Sequence, residues 1–299
     1  MGMRKLRGKP LSSDSPSTSR KTTKRSVVSD EDDVGSLKLP TKKIEVAKKL
    51  ESYSLCLYGE KGIGKTSLAG QFPNHLIFQF DPRRVNVSVR QVPGPGEDPL
   101  DWVTFKKYVK LLENRADSKQ QTVVLDIIYR AYDLCLEYVC RKIGPNITHP
   151  SQMNDYGNTW RDIEREFENT IERIRRANCH LIIIAHASFK EVPLQTGSGF
   201  ELLVPQSTKA VWNYLRALDF VFYYGYQGRD RILQVRGDDY VWAASGVEGT
   251  YFDPDGQPVR MYSIPDNAKE AYKILRDGFD NKVYGLEVEP EKDTEEDED

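Results

Sequence analysis

Short apolar runs alternate with apolar residues spaced three and four apart along most of the chain, and that alternation sets the expected fold. Residues 55–58, 75–80 (HLIFQF), 122–128 (TVVLDII) and 181–185 (LIIIA) are continuous apolar runs of four to seven residues. Runs this short, apolar at consecutive positions, read as strands covered on both faces, as in a parallel sheet between helices. The segments between them carry helical spacing. Residues 65–72 form a helix stopped by Pro73. Residues 100–114 place Trp102, Phe105, Val109 and Leu112 on one side. Residues 130–143 turn Leu134, Tyr138 and Ile143 inward, and 159–177 turn Trp160, Ile163, Phe167, Ile171 and Ile174 inward. Thr41 is placed to cap a short helix facing inward with Ile44, Ala47 and Leu50. Residues 81–99 and 145–158 read as irregular and loop segments.

After residue 205 the texture changes. A helix at 207–217 leads into DFVFYYGY (219–226), RILQVRG (231–237) and DDYVWAAS (238–245), short runs joined by turn residues, which read as antiparallel strands extending the sheet. A last helix spans about 266–278, capped by Asp266, with Ala268, Tyr272 and Leu275 inward. The expected class is α/β, a mainly parallel central sheet flanked by helices and extended by C-terminal antiparallel strands.

Charge alters the picture only at the ends. Residues 1–25 carry eight Lys/Arg against one Asp, and residues 287–299 carry nine Asp/Glu against one Lys, although the whole chain of 299 residues has a net charge of −2. Blocks of like charge repel themselves and bury no apolar surface. The expected organisation is therefore a disordered basic arm (1–40), one domain (41–285) and a disordered acidic tail (286–299). The arm could touch phosphate backbones and the tail could recruit a partner; both are equally read as solvated segments. No apolar run approaches the ~20 residues of a membrane helix, and the first twenty residues lack the apolar stretch of a secretory signal. Cys56, Cys135, Cys140 and Cys179 form no CxxC pair and read as reduced core thiols. A cytoplasmic protein with no membrane partner is expected.

GEKGIGKT (59–66), between the first strand and the first helix, matches G-x-x-x-x-G-K-[ST]. Glycines permit a tight curl that turns successive main-chain N–H groups toward an oligophosphate. Lys65 supplies a point charge for the β/γ oxygens and the Thr66 hydroxyl a ligand for Mg²⁺. The nucleotide-binding set is Gly59, Glu60, Lys61, Gly62, Ile63, Gly64, Lys65, Thr66 and Ser67. Asp126, closing the strand TVVLD, is the second Mg²⁺ ligand, the position of a Walker B carboxylate; its rival role is capping the next helix. HLIFQF lies between the phosphate-loop strand and the strand of Asp126 in the chain. That order suits the RecA/AAA-like division of P-loop proteins, in which a further strand is inserted between those two. His186, just past LIIIA, lies at the carboxyl edge of the sheet, where open α/β sheets bind ligands. It is a candidate phosphate sensor, or a structural histidine.

With these residues in hand the chain resembles the RecA-like ATPases of phages, and more narrowly the phage nucleotide-binding family that includes single-strand annealing recombinases. The similarity covers residues 45–245 and rests on YGEKGIGKTSLA, HLIFQFD, TVVLD, LIIIAHASFKE and ALDFVFYYG. It implies a RecA-like P-loop NTPase fold, ATP and Mg²⁺ as cofactors, and DNA recombination, annealing or replication on single-stranded DNA. It also implies homo-oligomeric rings or filaments, cooperation with a single-strand-binding protein, and a phage protein working in host cytoplasm. Where such ATPases carry a Glu after the second strand to position the attacking water, this chain reads QFDPRR. The catalytic set is then Lys65, Asp81, Asp126 and His186, with Asp81 one methylene short and hydrolysis correspondingly slow; Glu60 is a weaker substitute. Relatives carry a Lys/Arg pair near 241–247 that reaches a neighbouring subunit's nucleotide; here the segment is VWAASGV, leaving Arg229, Arg231 or Arg236 for that role.

The segment 187–206, ASFKEVPLQTGSGFELLVPQ, corresponds to the loop that lines the DNA channel in RecA-like proteins. Phe189 and Phe200 could stack on bases, and Lys190 and Lys209 could meet phosphates; its glycines and serines equally suit an ordinary mobile loop. Two other readings stay open. One is a nucleotide-gated interaction module with little turnover, serving a replication or packaging complex. The other is a small-molecule kinase, although no Arg-rich lid stands out.

Overall fold

The computed structural model describes residues 41, 43, 45–81, 88–115, 121–193 and 199–286. The chain divides into two units, residues 1–45 and 46–299. Of the first, Thr41, Lys43 and Glu45 are described, exposed and without regular structure. The basic arm, the acidic tail beyond Leu286 and residues 196–198 of TGSG lie outside the described residues. So do Lys42 and Ile44 of the helix expected behind Thr41; the described residues of that segment form no α-helix. Ala47 is exposed, its carbonyl accepts from the Tyr53 hydroxyl at 2.8 Å, and Leu50 is buried in a single 3-10 turn, Leu50–Ser52.

Among the described residues ten strands follow: β1 (Leu55–Gly59), β2 (His75–Gln79), β3 (Gln91–Val92), β4 (Gln121–Asp126), β5 (Cys179–Pro193), β6 (Gly199–Pro205), β7 (Phe220–Gln227), β8 (Asp230–Gln234), β9 (Ala244–Ser245) and β10 (Met261–Ser263). The helices are α1 (Lys65–Ala69), α2 (Trp102–Glu113), α3 (Ile128–Ile143), α4 (Asn158–Arg176), α5 (Lys209–Leu215) and α6 (Ala268–Phe279). The sheet runs β10-β8-β7-β1-β5-β4-β2-β3, with β6 paired to β5 and β9 to β7. Strands β7, β1, β5, β4, β2 and β3 are mutually parallel. The fold is α/β, with helices on both faces of a mostly parallel sheet.

Successive residues of each central strand point to opposite faces, and both faces are buried. Cys56, Tyr58, Val123, Leu125, Leu181 and Ile183 join the core under α2–α5. Leu55, Leu57, Val124, Ile182 and Ile184 join the core under α1 and α6, with Leu68, Phe72 and Leu275. This two-sided burial is why the runs read as uninterrupted apolar stretches. The four cysteines are buried free thiols. At the far edge Asp219 accepts from Ser54 N (2.6 Å) and Ser54 Oγ (2.7 Å), pinning the start of β1 to the start of β7.

Several expectations need correction. The strand inserted between the phosphate-loop strand and the strand of Asp126 is β5; HLIFQ forms β2, outside β4. DFVFYYGY pairs in parallel with β1 and antiparallel with β8 and β9, so the parallel part of the sheet extends one strand further than its turn-rich surroundings suggested. In α3 the buried face is Ile128, Ala131, Tyr132, Cys135 and Cys140; Leu134 and Tyr138 pack at its border, and Ile143 is exposed. In α4 Thr159 takes the inward place, its amide and hydroxyl donating to the Asp155 carboxylate, while Trp160 is exposed and meets His149 edge-on. Helix α6 is capped by Asn267, whose side chain accepts from Lys269 N and Glu270 N, and it buries Ala271, Leu275, Gly278 and Phe279. Within the segment 187–206, residues 187–193 and 199–205 are strand rather than loop, and 194–198 lie outside the described residues. Strand β5 continues past the sheet and pairs with β6 as a hairpin from Ala187↔Pro205 to Pro193↔Gly199.

Candidate functional site

The carboxyl ends of β1, β4 and β2 meet the middle of β5 at one edge, which carries the phosphate loop, Asp126, His186 and Asp81. Strand β1 ends at Gly59, whose register partner is Tyr224 of β7; a Cβ on Gly59 would stand 1.8 Å from the Tyr224 carbonyl oxygen. Glycine is therefore demanded by strand packing as well as by the curl. Glu60, Lys61 and Gly62 are exposed at the crest of the loop, and Ile63 plugs into the core beneath it. Gly64 has φ 104°, left-handed backbone that only glycine adopts freely, and hands the chain to α1. Lys65 is buried, and its ammonium donates to the carbonyls of Gly59 (2.9 Å) and Glu60 (2.7 Å). The lysine thus closes the loop on itself. Ser67 follows on α1, half-buried.

Thr66, one residue on, donates its hydroxyl to Asp126 Oδ2 at 2.7 Å. Asp126 is buried at the end of β4, opposite Ile184 of β5 and Gln79 of β2. A hydroxyl and a carboxylate in contact offer two hard oxygen donors side by side. Mg²⁺ is held in this fashion, by few protein oxygens together with substrate phosphates and water. The glycine-built curl, the lysine and this oxygen pair fit a magnesium-bound nucleotide.

His186 lies opposite Gly59 in the β1–β5 register, between the phosphate-loop strand and the strand of Asp126; its ring centre is 6.1 Å from that of Tyr129. Asp81 follows β2, adjacent to 82–87, which are outside the described residues. It lines a 160 Å³ cavity with Gln79, Gln91 and Glu97. Gln79 is a residue the sequence reading passed over. It is buried, its amide donates to the Asp81 carbonyl at 3.1 Å, and its Oε1 is buried with no partner among the described residues. A polar residue inside the apolar part of HLIFQF was the available signal. Below the loop, burial pushes the Cys56 thiol well above its ordinary value despite the nearby Lys65 ammonium, so it is a neutral packing group.

The three arginines separate. Arg236 donates to the Thr250 and Tyr251 carbonyls, a structural role. Arg229 is exposed in the β7–β8 turn. Arg231 lies against its own chain's phosphate loop. The segment VWAASGV is spent on pairing: Trp242 N donates to the Leu203 carbonyl at 2.9 Å, and Ala244–Ser245 pairs with β7.

Beside His186, the β5–β6 hairpin and α5 enclose a 380 Å³ groove bordered by Phe189, Lys190, Lys209 and Trp212. Phe189 is 70% exposed. The Lys190 ammonium lies 4.4 Å from the Trp212 ring centre, and Trp212 stands 4.5 Å from Trp242. Phe200 is half-buried on β6, opposite Val192.

A glycine-built loop between strand and helix, with the carboxylate strand one strand removed, defines a P-loop nucleotide-binding protein. Residues 51–246 match the AAA domain family, and the chain belongs to that family. It is 26% identical over 147 residues to the SPbeta prophage-derived uncharacterized protein YorG of Bacillus subtilis (strain 168). That match spans 48% of this chain and 43% of the relative, so the chain covers less than half of that protein's length. Among solved structures, the RadB recombinase aligns over 73% of this chain and 89% of its own, with 12% identity and a TM-score of 0.39. Among the described residues no helix is long and apolar enough to cross a membrane.

Proposed function

We propose that the protein is a Mg²⁺-dependent ATPase of phage origin that acts on single-stranded DNA in recombination, annealing or replication. The observation that carries the nucleotide reading is the Thr66–Asp126 contact at 2.7 Å beside Lys65, which gathers the metal ligands next to the phosphate loop. When bound, the nucleotide and its metal supply the phosphoryl group to be transferred and the charge that neutralises it. The chain's own residues do the rest. The loop amides and Lys65 grip the phosphates, Thr66 and Asp126 hold the metal, and Asp81 orients water. His186, beside Gly59, senses the terminal phosphate and stands at the root of the hairpin. Likeness to a prophage-derived protein supports the phage setting.

The DNA reading is supported by the hairpin groove. Exposed Phe189, the Trp212–Trp242 pair and two lysines combine stacking faces with positive charge, the two means by which single strands are held without sequence preference. The hairpin springs directly from His186, so phosphate state and DNA grip share one strand. Assembly into rings or filaments and cooperation with a single-strand-binding protein belong to the same proposal. ATPase rate measured with and without single-stranded DNA, and DNA binding across a salt series, test it. Stimulation with salt-sensitive binding is expected; a rate indifferent to DNA and no salt-sensitive binding would contradict it.

Asp81 in place of a longer carboxylate favours a second reading, a nucleotide-gated interaction module with little turnover. A tight ATP complex that captures a protein partner without measurable hydrolysis would select it.

A further inference from the structure

Arg231 begins on β8 and its guanidinium ends at the phosphate loop of the same chain. A Cβ built on Gly64 would stand 3.6 Å from Arg231 Nη1 and 3.8 Å from the Tyr224 hydroxyl. The guanidinium is oriented by long hydrogen bonds to the Tyr224 hydroxyl (3.4 Å) and the Tyr226 hydroxyl (3.3 Å), and its Nε is buried with no partner among the described residues. Among the described residues its one full counter-charge is Asp266, at 2.9 Å. The arginine side chain is 17% exposed and the aspartate side chain 92%. An ion pair with so exposed a carboxylate is weak and easily exchanged.

The sheet order says which end of a nucleotide this cation would meet. Asp126 lies on β4, two strands from β1 on one side; Arg231 lies on β8, two strands from β1 on the other. The Thr66–Asp126 pair fixes the metal side, where the terminal phosphates belong. Arg231 therefore approaches the loop from the opposite flank. We propose that Arg231 contacts the nucleoside-end phosphate of a nucleotide bound in its own chain, and that Asp266 is the counter-ion exchanged for that phosphate. Guanidinium suits the task, since its planar fork can offer two donors to one phosphate. Asp266 precedes the Asn267 cap of α6, so its release leaves the cap bonds intact. This inference rests on the nucleotide reading above and excludes Arg231 as a finger reaching a neighbouring subunit.

Calorimetric titration of the full chain with Mg²⁺-ATP and Mg²⁺-ADP, using wild type, R231Q, R231K and D266N, tests it. R231Q is expected to weaken ATP and ADP by the same factor, about tenfold or more. R231K, which keeps the charge without the fork, falls between. D266N tightens both nucleotides about two- to fivefold by removing the competitor, and the gain shrinks in high salt. A loss confined to ATP would assign the guanidinium to the terminal phosphate and overturn the proposal, as would unchanged affinities. Should R231Q fail to fold, as read by thermal unfolding, D266N decides: unchanged affinity overturns the proposal. Wild type binding neither nucleotide would instead bring down the reading of the phosphate loop.

Discussion

Thr66 and Asp126, sixty positions apart in the chain, meet at 2.7 Å because the first turn of α1 lies over the carboxyl end of β4. The hydroxyl sits beside the lysine that closes the loop, so one small movement of α1 would disturb the proposed anion and metal positions together. Asp126→Asn keeps the shape and an acceptor but removes the negative charge a metal requires. It should lower Mg²⁺-dependent hydrolysis about a hundredfold, while nucleotide affinity changes far less. Steady-state rates and titrations across Mg²⁺ concentrations check this; equal losses in both would contradict it.

Asp81 follows the buried end of β2, two residues after Gln79, whose amide donates to its carbonyl and which itself stands across from Asp126. In the water-orienting role proposed for Asp81, a carboxylate one methylene short would misplace the water, and an error near 1 Å can cost about a hundredfold in rate. Asp81→Glu should therefore raise kcat, and Asp81→Asn should lower it, with little change in thermal stability. A kcat that falls in Asp81→Glu would remove Asp81 from the water-positioning role.

At the hairpin groove, Phe189 is exposed enough to be removed without touching the core. Phe189→Ala should weaken single-stranded DNA binding about tenfold. Lys190→Gln should lower the salt slope of binding by about one. ATP affinity should stay unchanged in both. Fluorescence anisotropy with a labelled oligonucleotide reads the DNA affinity and the salt slope, and calorimetric titration with Mg²⁺-ATP reads the third quantity.

His180 is fully buried on β5 against Phe72, with neither ring nitrogen bonded among the described residues, and burial pushes it down to about 3. A folded value below the ordinary 6.5 means the neutral ring's contribution is full above pH 6.5 and is lost as pH falls from there toward 3. Stability should decline by up to about 1.4 kcal/mol per pH unit on this account alone. His180→Leu should flatten that decline between pH 6.5 and 5. Denaturant unfolding at several pH values measures the two slopes; identical slopes would contradict the assignment.

Strands buried on both faces were legible because consecutive apolar residues have few other uses, and the phosphate loop because its spacing is tied to one chemistry. The stripe Trp102–Phe105–Val109–Leu112 was read correctly, since a single helix face had the large residues. The α3 face was displaced because Ala131, Tyr132 and Cys135 bury as well as leucine does, and the helix begins two residues early. The hairpin hid because β5 loses its apolar run after Ala185, where its faces become exposed. Gln79 carried only a weak signal, and Arg231, a candidate for reaching a neighbouring subunit, was not assigned to its own chain's loop. Their nearness to the site comes from strand order, and neighbours across a sheet leave no mark in local spacing.

The central claim, that residues 59–67 hold a magnesium-bound nucleotide, is tested most directly by titrating wild type and Lys65→Ala with Mg²⁺-ATP. Lys65 is buried and bonded to the loop's own carbonyls, so its removal takes away both a phosphate partner and the tie that closes the curl. Tight binding by wild type and none by Lys65→Ala, with the variant still folded, is the predicted result. Equal affinity in the two proteins would contradict it.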